Sequence, residues 1–152
     1  MKPNPWPSAQ GTYGLILWLP QTSQIRVGRL GEHKFPAGWY AYWGSARGHG
    51  GIAARIRHHL GLHPTPHWHL DWLRPHAHPV AVFFDESPGR SECQWVQQAL
   101  TFPGAQVPVC GFGSQDCGQG CPAHLIYFGS SLNLNALANH LGNPEFMFID
   151  MG

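Results

Sequence analysis

Charge is what this chain has least of. Asp, Glu, Lys and Arg together make up 11% of 152 residues, against about a quarter in an ordinary globular domain. The net charge of +1 singles out no partner. No apolar run reaches the length of a membrane span, and no charged-then-apolar leader opens the chain. A non-membrane, cytoplasmic protein is therefore the default expectation. Cysteine is limited to four residues, Cys93, Cys110, Cys117 and Cys121. In that compartment thiols stay reduced, so a disulfide framework is not expected. No internal repeat, low-complexity tract or domain linker interrupts the sequence. Those absences predict an extended tail over residues 1–10, with its three prolines, and one domain over 11–152.

What is present is apolar surface, turn residues and histidine. Hydrophobic residues are 43% of the chain, with 19 Gly, 14 Pro and 11 His. A chain of this length buries roughly 70% of its unfolded surface, enough for a core without staples. The few charges are unevenly divided. Residues 1–74 carry eight of the nine Lys and Arg against Glu32 and Asp71, a balance of +6. Residues 75–152 carry Arg90 against six acids, a balance of −5. The first half is thus the candidate for facing a polyanion.

Several elements are legible. Thr12–Leu19 is rich in β-formers and ends at Pro20, Ile25–Leu30 alternates, and Trp39–Ser45 is aromatic, so all three read as strands. Ile52, Ile56 and Leu60 fall four apart and predict a helix over 52–60, which places Arg55 and His59 together on one face. His67–Leu73 fits a short helix or a strand equally. Val80–Phe84 reads as a buried strand. Ser91 and Gln94 have the spacing of a capping box at the start of a helix. Leu125–Phe128 reads as a strand, Leu132–Leu141 as a helix, and the apolar tail 146–149 is expected to dock. The interleaving predicts an α/β (α+β) sandwich with a small, mostly antiparallel sheet.

Gly11-Thr12-Tyr13, Tyr42-Trp43-Gly44-Ser45-Ala46, Arg55-Ile56-Arg57-His58-His59 and Glu92-Cys93 occur in that order. With VGRLG, HWHLDWL and GFGSQDC…HL they resemble the GIY-YIG nuclease superfamily, and more narrowly its Uri-type branch. The likeness spans about residues 11–128. It implies a metal-dependent endonuclease acting on nucleic acid, DNA rather than RNA, with a strand pair inserted between the tyrosine motifs. Ile25–Leu30 and a piece near His33–Phe35 would form that pair. Tyr13 would stand at the attacking water, with Tyr42 and His59 hydrogen-bonding phosphate or water. Arg55 would stabilise charge on phosphorus, and Glu92 would hold one Mg²⁺ or Mn²⁺. Arg47, Arg57, His58, Trp68 and His69 would contact nucleic acid. A late asparagine expected near such a site has no counterpart in a matching motif. The second reading is a catalytically silent nucleic-acid-binding module using the same face.

Two further clusters carry ligand chemistry. Cys117-x3-Cys121-x2-His124 suggests Zn²⁺, with Cys93 or Cys110 as the fourth ligand. The alternative is reduced thiols filling small gaps in the core. His67, His69 and Asp71 offer a third functional reading, a zinc-dependent hydrolase. Against it, Trp68, Leu70 and Trp72 fit an inward-packing face with polar residues outside.

Overall fold

A computed structural model describes residues 6–87, 91–114, 117, 119 to 149. The first five residues of the expected tail lie outside that range. The core is a five-stranded antiparallel sheet in the order β6-β4-β1-β5-β7. Its strands are β1 (Gly11–Leu19), β4 (Gly38–Ala46), β5 (His78–Asp85), β6 (Leu125–Gly129) and β7 (Glu145–Phe148). Between β1 and β4 the chain forms a separate hairpin, β2 (Ser23–Arg26) and β3 (Glu32–Phe35). The strand expected over Ile25–Leu30 therefore stops at Arg26. Gly28 takes a left-handed φ of 49° and a 3-10 turn over Gly28–Leu30 replaces the extended chain.

The helices are α1 (Gly51–Leu60), α2 (His69–Leu73), α3 (Glu92–Leu100) and α4 (Leu134–His140). The undecided segment 67–73 is thus helical at its end. Strand periodicity sorts the core into two layers. Tyr13, Leu15, Leu17, Leu19 and Tyr42 pack on one face with Ile52 and Ile56 of α1, Leu70 and Leu73 of α2, and the hairpin. Ile16, Ala41, Trp43, Ala81 and Phe83 pack on the other with Trp95 and Val96 of α3 and Leu137 of α4. A small α+β fold with an antiparallel sheet flanked by helices is what the chain adopts. The tail docks as β7, paired with β5.

Three local features position the site. The N-terminus of α1 is closed by Pro7 and Ala9, whose carbonyls accept the N–H groups of Ala53 and Ile52 at 2.8 and 2.9 Å. The approach is so close that a Cβ on Gly51 would strike the Ser8 and Ala9 carbonyl oxygens, and Gly50 and Gly51 both have positive φ. At α3, the Ser91 side chain accepts from the Gln94 N–H while the Ser91 N–H donates to Gln94 Oε1 at 3.1 Å. Finally, β6 pairs with β4 only over Trp39–Tyr42. Past the Trp43 N–H, which donates to the His124 carbonyl at 2.9 Å, the edge of β4 faces a pocket.

Candidate functional site

That pocket, about 240 Å³, is lined by Tyr13, Tyr42, Gly44, Ser45, Arg55 and Trp68, and also by Glu92, Cys117 and His124. The register explains the gathering. Tyr13 pairs with Gly44 and Leu15 with Tyr42, so the two tyrosines are diagonal neighbours on the α1 face. Gly44 has no side chain, and the Tyr13 ring lies across it; an added Cβ would collide with that ring and its hydroxyl. Ser45 projects to the other face, where its hydroxyl donates to the Glu92 carboxylate at the start of α3.

Arg55 is half-buried on α1, and its guanidinium stacks on the Trp68 ring, 4.5 Å from the centroid. Among the described residues it has no carboxylate within ion-pair distance. A second pocket of about 180 Å³, lined by Ala46, Gly48, His49, Ala54 and His58, shares Arg55 and Trp68 with the first. The cation therefore stands between two adjoining hollows.

His59 does not reach either pocket. It is 1% exposed, and its Nε2 is 2.7 Å from the Tyr13 hydroxyl. Burial first, and then the neighbouring His58, hold its pKa down to about 3, so the ring is neutral. Burial also raises Tyr13 well above the usual phenol value, with Tyr42 adding to the effect and Arg55 opposing it. Tyr42 is pushed up to about 12 by burial against the same opposing Arg55. Both phenols are protonated donors at neutral pH. Among the described residues the Tyr42 hydroxyl has no hydrogen-bond partner and is free to donate into the pocket.

The other expected contacts divide. Trp68 lines both pockets and His58 lines the smaller one. Arg47 and Arg57 are exposed. Arg57 lies two positions from Arg55 on α1 and so points to a different side. The imidazole Nδ1 of His69 accepts the Gly113 N–H at 2.7 Å and ties down the loop after α3. None of the late asparagines lines either pocket; Asn133 caps α4 by accepting the Ala136 N–H at 3.0 Å.

Two groups of side chains have the spacing to hold a metal. The first is Cys93, Cys117, Cys121 and His124, and the second is His58, His63 and Asp71. In the second, every member is already committed. Asp71 accepts the N–H groups of His67 and Trp68 at 2.8 and 3.0 Å as a cap for α2. It also bonds His58 Nε2 at 3.1 Å, while His63 Nε2 lies 2.6 Å from the His58 carbonyl. Burial alone would raise the Asp71 carboxyl, but these backbone and imidazole bonds hold it below its ordinary value. The reading based on His67, His69 and Asp71 is thereby corrected. His67 and His69 belong to neither metal-capable group, because residues 69–73 form a helix and not the strand that would align the imidazoles.

The chain belongs to the DUF123 family, described as a domain of unknown function, whose family model matches residues 12–144. No curated protein and no solved structure matches it. The expected membership of the GIY-YIG nuclease superfamily is corrected accordingly, and with it the endonuclease and hydrolase assignment. The metal-capable groups are Cys₃His and His₂Asp, and neither contains Tyr13, Tyr42, Arg55 or Glu92. The expected Mg²⁺ or Mn²⁺ on Glu92 has no ligand set among the described residues, and that carboxylate is taken by Ser45. Tyrosine-assisted attack by water also meets the raised phenols: burial removes the base such a step needs.

Two residues of the site, Ser45 and Gly113, owe their place to contacts between distant stretches of chain. Ser45, the partner of Glu92, carries no signal of that role in the sequence, because nothing local links it to a residue 47 positions away. Gly113 enters through the His69 contact, and only the closed loop brings it there. No helix is long and apolar enough to cross a membrane, among the described residues.

Proposed function

We propose that this domain binds nucleic acid through the sugar–phosphate backbone, with one phosphate seated at the Tyr13–Tyr42–Arg55 pocket. The observation that carries the reading is Arg55: half-buried, braced on an indole, and without a carboxylate partner among the described residues. A guanidinium in that state presents a planar fork that matches two phosphate oxygens. The neutral Tyr42 hydroxyl supplies a further donor at the same spot. Trp68, exposed to both hollows, offers a face on which a base can stack. Among the described residues Glu92 is the one acidic wall of the pocket. Its bond from Ser45 fixes it in place, where it selects against a doubly anionic terminal phosphate and leaves a diester favoured.

The test is fluorescence anisotropy with labelled single-stranded DNA, duplex DNA and RNA of one sequence. Arg55→Ala is expected to weaken binding about tenfold or more, the worth of one charge-assisted bidentate contact. Arg55→Lys should restore part of the affinity, since it returns charge without the fork. Unchanged binding in Arg55→Ala, or no binding of any of the three nucleic acids by the parent, would overturn the proposal.

A further inference from the structure

Cys93, Cys117, Cys121 and His124 reach one point from three separate stretches of chain. Cys93 is in the first turn of α3, Cys117 and Cys121 lie in the loop that follows it, and His124 immediately precedes β6. Their four ligand atoms all lie within 4.8 Å of one another, and Cys93, Cys121 and His124 are buried. Cys110, the other cysteine in that loop, is exposed and takes no part.

We propose that these four residues form a closed tetrahedral zinc site, with Cys93 as the fourth ligand. With Zn–S bonds of about 2.3 Å and Zn–N of about 2.0 Å, tetrahedral ligands sit about 3.8 Å apart for two sulfurs and about 3.5 Å for sulfur and nitrogen. The Cys93 Sγ to His124 Nε2 distance is 3.7 Å. Cys93 Sγ and Cys117 Sγ stand at 3.0 Å. They part by less than 1 Å to admit the ion, a movement of roughly the size a small side-chain rotation supplies. Three sulfurs and an imidazole select zinc over magnesium, calcium or manganese, which take oxygen ligands.

The site has a structural task that the fold otherwise leaves open. Among the described residues from Thr101 to His124 the chain forms no helix and no strand, an unusually long connection for a compact domain. Its backbone ties include the Gln106–Tyr127 bridge and the bonds Gly111 N–H to Pro122 carbonyl and His124 N–H to Phe112 carbonyl. A zinc ion would clip this loop to α3 on one side and β6 on the other. Cys117 and His124 also line the Arg55 pocket, as does Glu92, the neighbour of Cys93. The ion would thus form the pocket's floor. All four positions come from protein side chains, so no coordination site is left for a ligand, and the metal braces the wall without taking part in binding. The assignment does not depend on nucleic acid being the ligand.

Metal analysis of protein purified without chelator should find about one zinc per chain, as for a four-ligand structural site. A thiol reagent should then modify Cys110 alone, and all four cysteines after chelation. Refilling the chelated protein with Co²⁺ should give the visible bands of tetrahedral thiolate-bound cobalt. Cys110→Ser should keep its zinc, and Cys117→Ser and Cys93→Ser should lose it. The thiol and cobalt readouts use the parent protein, so the test survives a variant that fails to fold. Zinc well below stoichiometric amounts, iron in its place, four reactive thiols before chelation, or zinc retained by Cys93→Ser and lost by Cys110→Ser would each overturn the assignment.

Discussion

His59 shows how a single buried ring carries a pH dependence. It is enclosed against Tyr13, Tyr42 and Trp68, and its Nδ1 has no partner among the described residues. The folded chain refuses its proton until about pH 3, whereas the unfolded chain accepts it near pH 6.5, roughly the free imidazole value. Between those limits the unfolded state binds more protons, so stability falls as the medium is acidified, by up to about 1.4 kcal/mol per pH unit. The depressed Asp71 carboxyl acts in the same direction but only at lower pH. Its contribution is whole above the ordinary carboxyl range and is lost as the pH falls through its lowered value. Urea denaturation at a series of mildly acidic pH values should show a declining midpoint for the parent. His59→Gln should flatten that decline while leaving the more acidic, Asp71-dependent loss. A decline of the same slope in His59→Gln would locate the effect elsewhere.

At the scale of elements, α3 joins the two clusters. Its first residue is Glu92 and its second Cys93, so the direction of its first turn sets both the pocket wall and the thiolate group. That direction is fixed by the reciprocal bonds between Ser91 and Gln94 and by Trp95 and Val96 seated in the second core layer. Ser91→Ala should cost about 1 kcal/mol in chemical denaturation, the usual worth of an N-cap. Restoration by Ser91→Asp would show that the side-chain acceptor is what matters. This helix was legible beforehand because the capping spacing and the apolar stripe are both local. The hairpin was harder to place. Residues 25–30 carry a strand-like alternation, yet Gly28 and the turn it permits cut the strand short, and a single glycine inside an alternating run does not announce its φ. The segment 67–73 was ambiguous for the same kind of reason: five helical residues are too few for periodicity to register.

For the whole molecule, a net charge of +1 generates no strong field to gather a polyanion from a distance, so binding must come from local placement. Phosphate contacts release counterions, and affinity should fall linearly on a log–log plot against salt. Arg55→Ala should reduce that slope by about one contact, close to 0.9 for duplex DNA. An unaltered slope with weakened affinity would mean that Arg55 acts through packing on Trp68 rather than through phosphate.

By itself the sequence determined the strand runs at Thr12–Leu19, Trp39–Ser45, Val80–Phe84 and Leu125–Phe128, the cap of α3, the four-residue spacing of Arg55 and His59 on α1, and the inventory of donors. All of these depend on neighbours within a few positions. Which side chains meet was decided only by the tertiary structure. Ser45 finds Glu92, Cys93 joins Cys117, Cys121 and His124 in place of Cys110, and Asp71 turns to His58 and to its own helix cap. The ionisation of the site was decided there as well. A phenol or imidazole keeps its ordinary pKa in an unfolded chain, and only burial between a sheet and a helix strips away the water that would let it ionise.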